Sequence, residues 1–264
     1  AKEASIVDGL EVYPVSDIEQ LCRCLCGQQE IAPLLFDPML LLDSGNRFTE
    51  DLCEVRGQGF AKRALEISAA GGHNLLLIGP PGTGKSMLAK RLPTILPKLS
   101  FEEAIQTTRI YSVAGMLPPD HPIMNTRPFR SPHHTVSPAG LTGGGSSPVP
   151  GEISLAHNGV LFLDEITNMP LDMQAKLLRV LQERQAVRIG GSDPIAFDVQ
   201  VIAATNKDII SEIERKNFRL DLFYRLNIIH IKIPALKERK DDIDLFIRYF
   251  MNKFNPKGDM RIHP

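Results

Sequence analysis

The sequence has few cysteines, almost no net charge and no long apolar segment, and each of these absences narrows what the protein can be. A formal net charge of −1 predicts no overall attraction to nucleic acid, so any such contact would need a local basic patch. No apolar run approaches the roughly 18 residues of a membrane-spanning helix, and no signal-peptide pattern opens the chain. We therefore expect no membrane partner, and free cysteine thiols lead us to expect a cytoplasmic protein.

The four cysteines do not form a disulfide framework, because three of them are bunched as Cys22-x-Cys24-x-Cys26. A capping serine at Ser16 predicts a helix over residues 16–29. In such a helix the middle cysteine points away from the other two. We interpret the cysteines as part of a half-buried helix face, with a soft-metal site as the alternative.

The most informative segment is a glycine-rich turn between an apolar strand pattern at 74–78 and a helical pattern that begins at Met87. Its residues are Gly79, Pro80, Pro81, Gly82, Thr83, Gly84, Lys85 and Ser86. Strand, glycine turn, Lys-Ser and helix together predict a phosphate site, in which backbone N–H groups and a helix N-terminus face one anion. We expect Lys85 to reach the β- and γ-phosphates and the Ser86 hydroxyl to hold Mg²⁺, with Met87 beside the nucleotide.

A second apolar run, residues 160–163, leads directly into Asp164 and Glu165. The pattern predicts a buried central strand whose carboxylates emerge at the edge of the sheet where ligands bind. Asp164 is placed to hold Mg²⁺ through its water shell. Glu165 is placed to polarise the water that attacks the γ-phosphate.

Strand and helix patterns alternate along the chain. Further strands are predicted at 198–205 and 228–233, and helices at 61–70, 101–111, 170–183 and 242–254. The 170–183 helix places Leu171, Gln174, Leu178 and Leu181 on one face. Alternation of this kind predicts an α/β fold with a doubly wound parallel sheet flanked by helices.

The predicted domain organisation has three parts. Residues 1–48 form an N-terminal appendage, 49–236 an α/β core, and 237–264 a C-terminal helical segment. Within the core, residues 117–151 are rich in proline and glycine and show little periodicity.

The glycine-rich turn, the Asp-Glu strand and a strand ending in Ala204-Thr205-Asn206 together resemble the AAA+ ATPases, a class of P-loop NTPases, over about residues 49–250. This resemblance implies Mg²⁺-dependent binding and hydrolysis of ATP. It also implies that Asn206 is a polar sensor of the γ-phosphate or the attacking water. Residues 51–58 resemble the segment that wraps the adenine, with Val55 and Gly57 nearest the base.

Two parts of the chain resemble two different subfamilies of AAA+ protein, and the boundary between the two parts lies at the acidic strand. Upstream, the chain is similar to the Mg-chelatase-like (ComM/YifB) family at 55–58, 69–74, 111–115, 127–134, 143–146 and 150–159. Downstream, it is similar to the ATPase domain of sigma-54-dependent, NtrC-type activators at 163–166, 169–171, 174–183, 188–191, 201–208, 218–227 and 233–243. The first resemblance implies a motor that remodels DNA, and the second implies a transcription activator.

Activators of the second kind engage their target through a GAFTGA loop, and this chain carries residues 117–151 in its place. Sigma-54 RNA polymerase is therefore the less supported partner. If this segment faced the pore of a hexamer, its basic side chains could bind DNA phosphates. These side chains are Arg127, Arg130, His133 and His134. A solvated connection between two elements is the alternative, and adjacent histidines do not point to a metal site.

The resemblance to the NtrC-type domain implies one more catalytic feature. Arg225 would reach the γ-phosphate of a neighbouring subunit, supported by Arg219. Such an arginine finger stabilises the negative charge of the transition state and raises the rate of phosphoryl transfer by roughly 10³–10⁵. Ordinary surface arginines are the alternative. A finger acting in trans requires a ring of copies of the chain, most simply a hexamer.

The ends of the chain also carry expectations. Residues 5–14 resemble the junction after an N-terminal domain of the Mg-chelatase-like family, and 238–264 resemble only the beginning of a lid. We expect weakened ATP affinity and slow turnover as a result. A ring motor and an ATP-binding module that hydrolyses poorly are the two functions that the sequence leaves open.

Overall fold

The computed structural model describes residues 4–6, 9–34, 42, 48–117, 122–133, 135–144, 149–183, 185–187 and 194–254, without the side chains of 185–187 and 194–195. The chain divides into two compact units. One consists of Ala1–Arg47 with Lys98–Thr126, and the other of Phe48–Pro97 with Arg127–Pro264. All the candidate site residues belong to the second unit.

Helices and strands alternate through the described residues. The helices are α1 (Ile18–Leu25), α2 (Gly59–Gly71), α3 (Lys85–Arg91), α4 (Phe101–Val113), α5 (Pro138–Thr142), α6 (Glu152–Leu155), α7 (Leu171–Glu183), α8 (Ile209–Glu214), α9 (Leu220–Leu226) and α10 (Asp241–Phe254). The strands are β1 (Leu75–Ile78), β2 (Phe129–Arg130), β3 (Gly159–Leu163), β4 (Gln185–Val187), β5 (Pro194–Ala196), β6 (Val199–Thr205) and β7 (Ile229–Lys232).

A five-stranded sheet in the order β2-β3-β6-β1-β7 forms the centre of the second unit, and all its neighbouring strands pair in parallel. This confirms the predicted doubly wound parallel sheet. The four long predicted strands are present, close to their expected bounds. The edge strand β2 was not predicted, because it lies in the proline-rich segment. A separate antiparallel pair, β4 and β5, follows α7.

The strands bury alternate residues on opposite faces of the sheet, as their period of two requires. Leu76 of β1 packs in one apolar cluster with α7 and α9, whereas Leu75 and Leu77 pack in another with α2 and α3. Both clusters continue along β3 and β6. The sheet is therefore covered by helices on both faces, which explains why the central strands β1, β3 and β6 are almost entirely apolar.

Helix α7 buries one strongly polar side chain, Gln174, which is 0% exposed. Its Nε2 donates to the carbonyls of Met169 and Asn217, and its Oε1 accepts from the backbone N–H of Arg219. The side chain thus ties α7 to the segment before α9. The prediction that Leu171 shares the buried face is wrong, because at the first turn its side chain is 49% exposed.

In the first unit, α1 is shorter than predicted and is capped by Asp17 rather than Ser16; Asp17 accepts from the N–H of Gln20. The helix has no buried residue. A half-buried cysteine face is wrong for Cys22 and Cys26, since both are exposed. Across the described part of the chain, no group of three or more His, Cys, Asp or Glu residues is arranged to hold a metal ion.

The expectation that residues 117–151 lack regular structure is wrong for their later part, which contains β2, α5 and a bridge between Gly144 and Val149. Arg130 forms a two-pronged ion pair with Glu152, at 2.7 and 2.8 Å. Arg127 donates to the carbonyls of Pro97 and Asn158, at 2.7 and 2.8 Å. Both arginines hold the second unit together, which corrects the picture of a purely solvated connection. His134 lies outside the described residues.

None of the helices in the described ranges combines the length and apolar composition needed to cross a membrane.

We predict that Gln174→Leu lowers the free energy of unfolding by about 2 kcal/mol or more, because it leaves three backbone groups without their side-chain partner. Urea unfolding of the purified chain measures this. Gln182→Leu is the matched control, since Gln182 lies on the same helix and is exposed, and it should change stability by less than about 0.5 kcal/mol. Equal losses in the two variants would contradict the role given to Gln174.

Candidate functional site

The glycine-rich turn joins the end of β1 to the start of α3, as the sequence predicts. Gly82 and Gly84 adopt φ of 75° and 97°, a left-handed region that glycine enters at little cost. The Thr83 hydroxyl donates to the Pro80 carbonyl at 2.9 Å and closes the turn. At Gly79 a Cβ atom would overlap the backbone carbonyl of Ile233. The turn therefore needs glycine for conformation at two positions and for space at a third.

Lys85 lies against this turn and is almost buried. Its Nζ donates to the carbonyl of Gly79 at 2.7 Å and to that of Pro80 at 3.0 Å. Burial lowers the pKa of Lys85, while the carboxylates of Asp164 and Glu165 act in the opposite direction. The ammonium group is thus held beside the loop and close to both acids.

Ser86, the second residue of α3, contacts the end of β3. Its hydroxyl donates to Oδ2 of Asp164 at 2.9 Å. A hydroxyl and a carboxylate side by side at a helix N-terminus are oxygen ligands of the kind that Mg²⁺ takes in proteins, in part through water. The two residues therefore fit a magnesium ion.

Glu165 follows with an unusual backbone, at φ 49° and ψ 46°. Its N–H donates to Oδ1 of Asp164 at 3.0 Å, and its Oε2 accepts from Nδ2 of Asn168 at 2.6 Å. Oδ1 of Asn168 in turn accepts from Nζ of Lys207 at 2.8 Å. A left-handed residue other than glycine costs about 1–3 kcal/mol, and such residues concentrate at functional sites.

The ends of β1, β3 and β6 meet around one cleft of about 360 Å³, which Asn206 lines together with the glycine-rich turn. The cleft is lined by Pro81, Gly82, Gly84, Lys85, Ser86, Met87, Asp164, Glu165 and Asn206. Most of the residues predicted to bind phosphate, metal and attacking water are thus brought together.

The segment predicted to wrap the base, residues 51–58, contacts the glycine-rich turn and helix α10. Val55 is 1% exposed and belongs to the apolar core. Gly57 has φ 65°, and the carboxylate of Asp242 occupies the place where its Cβ would be. Gln58 donates from its side chain to the Thr83 carbonyl at 3.2 Å, and its N–H donates to Asp242 at 3.2 Å. The segment is therefore tied both to the phosphate loop and to the first turn of α10.

Neither of the two predicted arginines lines the cleft. Arg219 stands at the N-cap position of α9 without a side-chain capping bond, and its guanidinium forms an ion pair with Asp221 at 2.7 Å. Arg225 is exposed on α9, and its Nε and Nη2 donate to the carbonyl of Leu181 at 3.0 and 2.8 Å. Within one chain both arginines hold helix ends, and a role at a nucleotide stays a prediction.

The family model for magnesium chelatase, subunit ChlI, matches residues 51–221, well over half of the chain. The chain belongs to this family. Competence protein ComM of Haemophilus influenzae is 41% identical over 212 residues, which are 78% of this chain and 41% of ComM. YifB of Escherichia coli, an uncharacterised protein, is 60% identical over 165 residues, 62% of this chain and 31% of YifB. The chain thus spans well under half the length of these family members.

The likeness to activators is also found. The regulatory protein AtoC of Escherichia coli is 50% identical over 107 residues, 40% of this chain and 23% of AtoC. NtrX of Brucella abortus in complex with ATP superposes with a TM-score of 0.60 at 27% identity, over 80% of this chain and 44% of NtrX. BchI, in its complex with BchD of magnesium chelatase, shares the fold with a TM-score of 0.53 at 22% identity, over 77% of this chain and 70% of that one. The AAA+ assignment and both resemblances are confirmed.

Sequence reasoning missed five residues that shape the site, namely Gln58, Asn168, Lys207, Arg239 and Asp242. They act through side-chain contacts between segments far apart in the chain or around tight turns. One signal was available, since Lys207 directly follows Asn206, the residue predicted to be the sensor. The others are polar residues next to recognised motifs, with nothing in their spacing to set them apart.

We predict that Gly57→Ala lowers the free energy of unfolding by about 1 kcal/mol or more, because alanine disfavours the left-handed backbone and its Cβ displaces Asp242. Gly59→Ala is the matched control: its Cβ meets open space and it opens helix α2, so it should be neutral or slightly stabilising. Urea unfolding compares the two variants. Similar stabilities for both would show that Gly57 is not constrained in this way.

Proposed function

We propose that this chain binds Mg²⁺-ATP in the cleft at the ends of β1, β3 and β6 and hydrolyses it as the ATPase unit of a ring motor. The observation that carries the proposal is the convergence of Lys85, Ser86, Asp164, Glu165 and Asn206 on that one cleft. The ATP complex of NtrX, a protein of the same fold, supports nucleotide binding by this chain.

The residues divide the chemistry among them. Backbone N–H groups of the glycine-rich turn and the N-terminus of α3 bind the phosphates, and Lys85 exchanges its bonds to the loop carbonyls for phosphate oxygens. Ser86 and Asp164 would hold Mg²⁺, which neutralises charge on the phosphates. Glu165 orients and polarises the attacking water, and Asn206 hydrogen-bonds the γ-phosphate or that water.

A second copy of the chain is needed to complete the site. Among the described residues that line the cleft there is no arginine: Arg219, which directly precedes α9, and Arg225, on α9, are both outside that lining. In a ring, Arg225 of one copy would reach the nucleotide of the next, with Arg219 in support. The BchI–BchD complex of magnesium chelatase supports assembly of proteins with this fold, and we propose a hexamer.

The client that we propose is DNA, remodelled as the relationship to ComM suggests. Contact through Arg127 and Arg130 is not part of the proposal, because their guanidinium groups already bind Glu152 and two backbone carbonyls. Action on sigma-54 RNA polymerase is the alternative, supported by the likeness to AtoC and opposed by the missing GAFTGA loop.

A module that binds ATP but hydrolyses it poorly is the second candidate function. It is favoured by one observation: an oxygen of Glu165, the proposed water-polarising group, is already held by Asn168. Turnover measurements separate the two functions.

We predict that ATP hydrolysis per chain rises with protein concentration and is abolished by Lys85→Ala and by Arg225→Ala. Mixing the two inactive variants should restore part of the activity, because some junctions of a mixed ring combine an intact Lys85 with an intact Arg225. Steady-state phosphate release measures all four samples, with and without forked DNA.

Arg63→Ala is the control, since Arg63 is an exposed arginine paired only with a neighbour on its own helix. Stimulation by forked DNA would support the DNA client. If the mixture stays inactive although Lys85→Ala and Arg225→Ala still form rings with the wild type, then the proposal that Arg225 acts on the nucleotide of a neighbouring copy is wrong. ATP binding without turnover in the wild type would establish the binding module.

A further inference from the structure

Three side chains form a continuous hydrogen-bonded chain that ends at Glu165, a lining residue of the cleft. Nζ of Lys207 donates to Oδ1 of Asn168 at 2.8 Å, and Nδ2 of Asn168 donates to Oε2 of Glu165 at 2.6 Å. An ammonium group can only donate and an ionised carboxylate can only accept. The amide of Asn168 therefore fits between them in one orientation, and its two ends are fixed by opposite charges.

The backbone brings these residues together for a separate reason. After Glu165 the chain makes a tight turn, Ile166–Asn168, closed by the N–H of Asn168 donating to the Glu165 carbonyl at 2.8 Å. That turn packs on the end of β6, where the buried hydroxyls of Thr167 and Thr205 lie 2.9 Å apart. Lys207 follows two residues later, and its N–H donates to the Thr205 hydroxyl at 3.1 Å.

The same end of β6 carries Asn206, which lines the cleft. The turn after β3 and the end of β6 are thus connected twice, by the buried hydroxyl pair and by the Lys207–Asn168 bond. A shift of Asn206 toward a nucleotide would move Lys207 and, through Asn168, the carboxylate of Glu165.

Glu165 itself has little backbone freedom. Its φ of 49° places it in a narrow left-handed region, and its N–H is engaged by the Asp164 side chain. Only its side-chain torsions remain to be set. Asn168 holds one of the two carboxylate oxygens, and so determines where the other is directed.

We propose that Asn168 and Lys207 are positioning residues for hydrolysis: Asn168 directs the Glu165 carboxylate toward the attacking water, and Lys207 fixes the amide of Asn168 from the sensor strand. This inference rests on the proposed ATPase function. It assigns no contact with nucleotide to either residue. It also explains why the carboxylate can be held and still be productive, since one oxygen stays available.

The test compares kcat and ATP affinity across a small set of variants of the chain. Asn168→Ala and the isosteric Asn168→Asp, which cannot donate to Glu165, should each lower kcat about 10- to 100-fold. The Kd for ATP should change less than about twofold, because the phosphate contacts are untouched. Lys207→Met should lower kcat less, and Lys207→Arg should restore most of it by supplying a donor again.

The double variant Asn168→Ala with Lys207→Met should be no slower than Asn168→Ala alone, since Lys207 acts through Asn168. A merely structural role would not give this non-additivity or the rescue by arginine. Lys176→Met, an exposed lysine on α7 outside the network, is the matched control and should turn over like the wild type. Unfolding midpoints show that each variant is folded.

The Glu165→Gln variant distinguishes a failure of the proposed ATPase function from a failure of the positioning roles of Asn168 and Lys207. If the wild type turns over no faster than Glu165→Gln, the proposed ATPase function fails and this inference falls with it. If the wild type is active but Asn168→Ala and Asn168→Asp match or exceed its kcat, the inference alone is overturned. Full additivity of the Asn168 and Lys207 effects would also overturn it.

Discussion

Parallel pairing of β1, β3 and β6 is the constraint on which the rest of the structure depends. Ile78 at the end of β1 is in register with Thr205 at the end of β6, and Leu163 at the end of β3 is in register with Ala203. Because the three strands run in one direction, the glycine-rich turn, the two acids and Asn206 all emerge at the same edge of the sheet. Antiparallel pairing of any one of them would move its polar residues to the opposite edge.

Much of this site follows from local sequence, and the reason is physical. Some motifs indicate both their backbone conformation and their chemistry within a few residues. Examples are the glycine-rich turn followed by Lys85-Ser86 and the apolar run that ends in Asp164. Contacts between segments carry no such signature. The bond from Gln58 to the Thr83 carbonyl, and that from Lys207 to Asn168, depend on how strands and turns pack. The sequence alone does not determine them.

The failed predictions have the same origin. Helical spacing placed Leu171 on the buried face of α7, but Leu171 is the first residue of the helix and is 49% exposed, whereas Gln174 on the same face is fully buried. Proline and glycine content suggested an irregular segment at 117–151. There, pairing with β3 makes a short strand, and Glu152 fixes Arg130. Tertiary contacts determine which side chains are buried and which groups the arginines bind. A local sequence pattern does not contain these contacts.

The magnesium-chelatase family and the NtrC-type activators share the AAA+ fold, and in this chain the proposed nucleotide site lies in the cleft of that fold. Equilibrium ATP binding, with Mg²⁺ and with EDTA, tests it most directly in the wild type, Ser86→Ala and Lys85→Ala. We predict that removing Mg²⁺ weakens binding to the wild type by about tenfold or more but hardly affects Ser86→Ala, and that Lys85→Ala binds poorly in both conditions. Undiminished affinity in Lys85→Ala, or the same Mg²⁺ dependence in Ser86→Ala as in the wild type, would contradict the account.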